Sequence, residues 1–366
     1  MSTARAARLA RTRAAMAEQG VDALLLSLGA DLPWLTGYEA MPLERLTMLV
    51  VPADGQATLF LPRLEAPRVA DDPEVFSLQP WDELDDPVAL VAAAVGGRRS
   101  LAVSDRAWAT FVLALQRHLP AATWTTSSVV TGPLRAVKDP SEVEALVAAG
   151  AAADRVAAAL LGGEIPLVGR REREVSDEIG RRLVAEGHDR VNFAIVGSGP
   201  NSASPHHEPG ARRILPGEAV VCDFGGTMAG YCSDTTRTVF TGPPPAEFRE
   251  LYDVLQAAQA ASVAAATVGT SCEAVDAAAR RPIEAAGFGD AFLHRTGHGI
   301  GLEEHEDPYI VSGNSRPLEP GHAFSVEPGI YLAGQWGARI EDIVIATAEG
   351  PRPLNTSSHD LAVVDG

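Results

Sequence analysis

Along the first third of the chain, short apolar runs alternate with longer helical stretches. Residues 5–19 are rich in helix formers, carry Leu9 and Met16 as apolar positions and stop at Gly20. Residues 21–27 read as a short buried strand. Residues 46–51 and 57–61 read as two more, parted by the turn cluster Pro52-Ala53-Asp54-Gly55. Helical patterns at 87–95 and 108–119 then interleave with strands at 100–103 and 122–126, the rhythm of an α/β domain. Residues 132–138, opening on Gly132-Pro133, read as a linker between a first domain at 1–131 and a second at 139–366. The second domain starts firmly: Asp139 is an N-cap, Pro140 takes the first helical position and Glu142 the third, ahead of an apolar stripe through Leu146, Ala153, Ala157 and Leu160. Further helices are expected at 171–186, 244–268 and 272–286, the last interrupted by Pro282, with strand material at 191–196.

Two stretches of this second domain pattern as hairpins with a carboxylate on each arm. Residues 220–239 form the first. A turn at Met228-Ala229 sets Asp223 directly across from Asp234, whereas a turn at Ala229-Gly230 leaves them diagonal. Either way the two carboxylates are close enough that a proton or a cation must lie between them. Residues 324–342 form the second hairpin, and folding them about Gly334 sets Glu327 opposite Glu341. Histidines flank these hairpins: His206 before the first, and His294, His298 and His305 between the two.

Each of these residues has a duller reading alone. An aspartate before Phe224-Gly225 can form a turn, Asp234 can cap Thr235 or pair with Arg237, and a histidine between glycines can be a core residue. Together, Asp223, Asp234, His298, Glu327 and Glu341 make a ligand set for a paired hard-metal site. Oxygen-rich ligation with one nitrogen favours Mn(II), Co(II) or Fe(II) over Zn(II). Two such ions lower the pKa of a shared water and polarise a carbonyl, which is hydrolytic chemistry. His206 and His305 lie on loops near this set and can hydrogen-bond a scissile carbonyl or its tetrahedral intermediate. Arg339, two residues before Glu341, shares that residue's sheet face and can pair with a ligand carboxylate or hold substrate. Gly197-Ser198-Gly199 and Gly297-His298-Gly299-Ile300-Gly301 do not fit a nucleotide-loop fingerprint.

Composition narrows the setting. Forty-eight acidic residues against 30 basic ones give a formal charge of −18, which argues against nucleic acid and anionic membranes as partners. At 366 residues the chain is long enough for two cores. Cys222, Cys232 and Cys272 make no disulfide framework, and the N-terminus lacks a secretory apolar run, so a cytoplasmic protein is expected. The sequon at Asn355-Thr356-Ser357 is then a coincidence.

The motifs Asp223-Phe224-Gly225, Asp234-Thr235-Thr236-Arg237, Ser204-Pro205-His206, Gly297-His298-Gly299, Glu304-His305-Glu306, Glu327-Pro328-Gly329 and Arg339-Ile340-Glu341 resemble, in this order, the Xaa-Pro peptidases of the pita-bread metallopeptidase fold, prolidase and aminopeptidase P. The resemblance covers roughly residues 137–366. The preceding residues, with Pro33-Trp34-Leu35-Thr36-Gly37-Tyr38, are similar to that family's creatinase-like α/β domain. It implies an α/β (α+β) fold class with a dinuclear site, Mn(II) first and Co(II), Fe(II) or Zn(II) as alternatives. In that site Asp234 and Glu341 bridge, Asp223 holds one metal, and His298 and Glu327 hold the other. Glu327 would also accept the proton of the attacking water. His206 and His305 match catalytic, substrate-contacting histidines, and His294 and Arg339 match auxiliary substrate-binding positions. The implied substrates are small proline-containing peptides, and the implied assembly is a homodimer. The short N-terminal domain favours a dipeptidase; the alternatives are an aminopeptidase P acting on longer peptides, a creatine amidinohydrolase, or a non-catalytic binding protein on the same fold.

Overall fold

The computed structural model describes residues 2–365, and the chain divides into two compact units, Met1–Arg135 and Ala136–Gly366. The first unit runs α1 (Ser2–Gln19), β1 (Ala23–Leu26), α2 (Asp31–Thr36), β2 (Met48–Pro52), β3 (Ala57–Pro62), β4 (Phe76–Trp81), α3 (Pro87–Val95), β5 (Ser100–Val103), α4 (Ala109–His118), β6 (Thr123–Thr126) and α5 (Ser128–Ala136). Its six strands form one mixed sheet in the order β4-β3-β2-β1-β5-β6. Leu25, Met48, Val50, Leu101 and Val103 bury one face of this sheet under Val91 and Val95 of α3 and Leu115 of α4. Each such side chain contributes about 1.5–3 kcal/mol of burial.

The structure departs from the sequence expectation at three elements here. Residues 132–138, expected as linker, are helical as far as Ala136. Pro133 inside α5 cannot donate to Val129 O, and Val129 lies at the surface (40% exposed). The segment around Pro33 folds as α2, which Gly37 ends in the left-handed conformation (φ 72°) with its N–H on Pro33 O. β4 was not expected at all; it tolerates Pro80 because it is an edge strand.

The second unit runs α6 (Pro140–Leu161), α7 (Glu172–Ala185), β7 (Arg190–Ser198), β8 (Ala219–Met228), β9 (Tyr231–Cys232), β10 (Thr235–Thr241), α8 (Ala246–Ala265), α9 (Cys272–Ala285), β11 (Gly297–Gly299), β12 (Glu306–Ile310), β13 (Ala323–Val326), β14 (Gly329–Leu332), β15 (Trp336–Arg339), β16 (Asp342–Thr347), β17 (Gly350–Pro353) and β18 (Ala362–Val364). The strands make a sheet β18-β10-β8-β7 with β9 on β8, a second sheet β12-β11-β13-β16-β17, and the ribbon β14-β15. Asp139 caps α6 through Ser141 and Glu142 N–H, and Glu142 returns a bond to the Asp139 N–H. Ala153, Ala157 and Leu160 of α6 pack with Val175, Ile179 and Leu183 of α7 on the Val220, Cys222 and Phe224 side of the first sheet. Phe248, Leu251 and Leu255 of α8 and Ile283 of α9 cover Ile330, Ala338 and Ile340.

The hairpin register is the one set by Ala229-Gly230. Both residues have positive φ (50° and 87°), the mark of a type I′ turn, and the Ala229 N–H is held by Asp189 Oδ2 at 2.7 Å. Asp223 therefore faces Thr236 rather than Asp234, leaving the two aspartates diagonal on one face. The second hairpin closes about Gly334 as expected, pairing Gly329 with Arg339 and Leu332 with Trp336. The same register resumes beyond a break, with Val326 opposite Asp342. Glu327 and Glu341 thus sit level with one another at the point where the two strands leave one sheet for the ribbon. At β11 the glycines flanking His298 allow close packing: a Cβ on Gly297 would lie 1.8 Å from Ser325 O, and one on Gly299 2.2 Å from Asp307 O.

Candidate active site

All nine residues singled out by sequence, Asp223, Asp234, His206, His294, His298, His305, Glu327, Arg339 and Glu341, line one cavity of about 460 Å³ in the second unit. The carboxylates come from β8, from the turn into β10, and from the paired break between the second sheet and the ribbon. Asp223, Asp234 and Glu341 are buried, as is His298. His298 Nε2 lies 3.2 Å from Glu327 Oε1 and 3.7 Å from Asp234 Oδ2. Ligand atoms of Asp234, His298 and Glu341 all lie within 4.8 Å of one another.

Hydrogen bonds aim these groups. His298 Nδ1 meets Gly299 O at 3.1 Å; a carbonyl only accepts, so Nδ1 carries the proton there and Nε2 is left facing the acids. Ser325 Oγ donates to Glu327 Oε1 (3.0 Å) and accepts from the His298 N–H (3.0 Å), fixing the two relative to each other. Thr236 Oγ1 donates to Glu341 Oε2 at 2.7 Å. Arg339 Nη2 donates to Asp223 Oδ2 at 2.5 Å, while its other donors reach Thr236 Oγ1, Tyr331 Oη and Pro205 O. Tyr331 Oη also meets His294 Nε2 at 2.9 Å, and His294 Nδ1 meets Arg295 O at 2.7 Å. Both His294 nitrogens and the Arg339 fork are thus engaged by the chain itself.

The electrostatics are unbalanced. Burial, and then the charges of Glu341, Asp223 and Glu327, push the Asp234 carboxyl well above the carboxylate range. Burial with the Glu327 and Asp223 charges does the same to Glu341. Asp223 is raised by burial although Arg339 opposes it. Burial would raise Glu327 too, but the hydrogen bond and charge of His298 hold it down at about 2. Burial pushes the Tyr331 hydroxyl up to about 12, keeping it a donor. His305, whose ring centroid is 4.0 Å from that of His298, is held down near 4 by partial burial and then by the His298 and Arg295 charges.

This donor set fits divalent cations. Asp223 Oδ1 is buried and has no hydrogen-bond partner, an orphan a cation would satisfy. One arginine cannot neutralise four clustered carboxylates, and the single nitrogen donor already presents Nε2 to them.

Sequence reasoning did not single out several neighbours. Tyr331 shares a strand face with Gly329, which the register sets opposite Arg339, so strand alternation could have found it. Phe193, Ile195, Arg295 and Glu304 also line the cavity. His207 anchors the loop that carries His206: its Nε2 lies 2.9 Å from the buried Glu172, which also accepts from Ser198 N–H and Asn201 Nδ2.

Residues 144–348 match the model of metallopeptidase family M24, and residues 8–137 match the creatinase/prolidase N-terminal domain. The chain belongs to metallopeptidase family M24. As a member of this metallopeptidase family it is a hydrolase that works with divalent metal ions. Over 364 residues, 98% of this chain and 96% of the relative, it is 45% identical to a protein described as probable dipeptidase PepE of Mycobacterium tuberculosis. It is 36% identical over 357 residues to an Xaa-Pro dipeptidase of Lactobacillus helveticus, covering 94% of this chain and 95% of that one. Among solved structures it is similar to dipeptidase PepE from Mycobacterium ulcerans, at 45% identity and a TM-score of 0.93 over 99% and 98% of the two chains. It is also similar to prolidase from Thermococcus sibiricus, at 34% identity and a TM-score of 0.91 over 98% of both chains. No helix among the described residues is long and apolar enough to cross a membrane.

Proposed function

We propose that this M24 peptidase is an Xaa-Pro dipeptidase, cleaving the bond between an N-terminal residue and proline. The observation that carries this reading is the convergence of Asp223, Asp234, His298, Glu327 and Glu341 at the base of a cavity sized for a small peptide. Bound by these five residues, a pair of divalent cations supplies Lewis acidity for water and for the scissile carbonyl. Mn(II) is the first metal to test, because four carboxylates and one imidazole are a hard donor set.

The chain's own residues do the rest. Glu327, ionised across neutral pH and oriented by Ser325, accepts the proton of the attacking water and returns it to the proline nitrogen. That nitrogen bears no hydrogen in the substrate, so its release requires a proton. His305, neutral at pH 7, and His206 stand at the mouth, where an N–H can bond the developing oxyanion. Arg339 holds Asp223 in place and is itself fixed by Tyr331. Phe193 and Ile195 offer apolar surface to a substrate side chain or ring. Three buried free cysteines suit a reducing cytoplasm, and a homodimer follows from the family resemblance.

Hydrolysis of Ala-Pro, with Mn(II) and then with chelator, tests the reading. Turnover that chelation abolishes and Mn(II) restores is the expected result; metal-loaded protein inert on all Xaa-Pro peptides ends it.

A further inference from the structure

The two arginines that line the cavity differ in what they already hold. Arg339 is committed to Asp223, Tyr331, Thr236 and Pro205 O. The Arg295 side chain has no hydrogen bond or ion pair with any described residue. Its guanidinium instead lies over the ring of Tyr309, with Cζ 4.5 Å from the centroid. Pairing of β11 with β12, Gly297 opposite Ile310, brings the two side chains together. Half-buried and at the cavity wall, Arg295 is near enough for its charge to act on His305.

A guanidinium stacked on an aromatic ring keeps its N–H edge open and its fork pre-oriented, so less rotamer freedom is lost when it takes a planar anion. In the reading above, Asp223, Asp234, Glu327 and Glu341 are taken up by the cations, and Arg339 by Asp223. That leaves Glu304 on the lining to suit the ammonium end of a peptide, and Arg295 to suit a carboxylate end. A dipeptide carries both ends within one cavity, whereas a longer peptide places a neutral amide where the dipeptide has its carboxylate.

We infer that Arg295, steadied on Tyr309, receives the C-terminal carboxylate of a dipeptide and so selects dipeptides over longer chains. This rests on the peptide-hydrolase reading above and deepens it by naming the group that sets substrate length.

The test compares Ala-Pro with its C-terminal amide on metal-loaded protein, by steady-state kinetics and by calorimetric binding. Wild type should favour the free acid by about 10- to 100-fold in kcat/KM, as charge-assisted hydrogen bonds imply. Arg295→Ala should erase that preference through KM for Ala-Pro, with the amide changing less than about twofold. Arg295→Lys should keep part of it, having the charge without the fork. Tyr309→Leu should also keep part, having the fork without its support. An unchanged thermal midpoint in Arg295→Ala confirms the fold. Persistence of the preference in Arg295→Ala, or equal loss for acid and amide, overturns the inference. If wild type turns over neither peptide, the peptidase reading fails separately. Binding then decides: tighter binding of the acid that Arg295→Ala abolishes upholds carboxylate capture, and equal binding of both peptides overturns it.

Discussion

Each unit of this protein buries acidic side chains, and the two do so to opposite effect. In the N-terminal unit, Asp31 is buried against Arg135 (3.0 Å), with Ser127 and Thr131 hydroxyls on its other oxygen. One carboxylate meets one guanidinium there, so the charges balance, and the cluster ties α2 to α5. In the catalytic unit, Asp223, Asp234, Glu327 and Glu341 share one cavity in which His298 and Arg339 are the basic groups paired with them, and Asp223 Oδ1 has no hydrogen-bond partner. Burial of a carboxylate therefore says little about function. A surplus of buried carboxylates over cations says much, because such a surplus persists only where something from outside completes it.

The largest effect expected on this contrast is in catalysis. Glu327→Gln keeps the side chain's shape but removes its basicity, and kcat on Ala-Pro should fall about 100- to 10,000-fold. Measuring metal content alongside separates lost ligation from lost proton transfer; a variant within tenfold of wild type would refute Glu327 as proton acceptor.

Arg135→Ala probes the matched cluster. It strands Asp31 with two hydroxyls and should cost about 3–5 kcal/mol in urea unfolding. A loss under about 1 kcal/mol would mean the hydroxyls alone satisfy Asp31.

A buried histidine gives the cationic counterpart. His322 accepts the Glu319 N–H on Nδ1 (3.1 Å), and burial followed by the Lys138 and Arg316 charges holds its pKa down to about 4. The folded pKa lies below the unfolded value of about 6.5, so this stability is present above pH 6.5 and lost as pH falls towards 4. The loss reaches about 3 kcal/mol at most. His322→Asn, which keeps an acceptor and cannot titrate, should flatten that acid limb; an unchanged slope between pH 6.5 and 4 would rule His322 out as its source.

Metal addition should act on one unit only. Mn(II) at a hundred times its dissociation constant should add about 2.7 kcal/mol. Hydrogen exchange should show the added protection at 219–241 and 323–342 and none around Asp31. Protection gained equally in both units would remove the contrast.

Much of the catalytic unit was legible because its chemistry is carried by residue type and by strand alternation. Four carboxylates on two hairpins, with one histidine between them, can be read without knowing how the sheets stack. The first hairpin's register was not legible, because Ala229 has no intrinsic preference for positive φ and is held there by Asp189, 40 residues away. α5 was hidden by Gly132-Pro133, which read locally as a break although tertiary packing keeps them helical. Arg295 was hidden differently: a basic residue in a loop looks solvated until the structure sets it on the cavity wall, over the ring of Tyr309.

Glu341 and Asp342 are chain neighbours with opposite duties. Glu341 faces the acidic cavity, while Asp342 is bound on the other side by Arg237 at 2.7 Å and His359 at 2.6 Å. A slip of one residue would exchange them, feeding Asp342 into the cavity and setting the longer Glu341 against Arg237. The Arg237 pair thus works as a parity lock on the cavity carboxylate beside it. Inserting one residue at the Gly334 tip should be absorbed there, whereas the same insertion between Arg339 and Glu341 would scramble the centre.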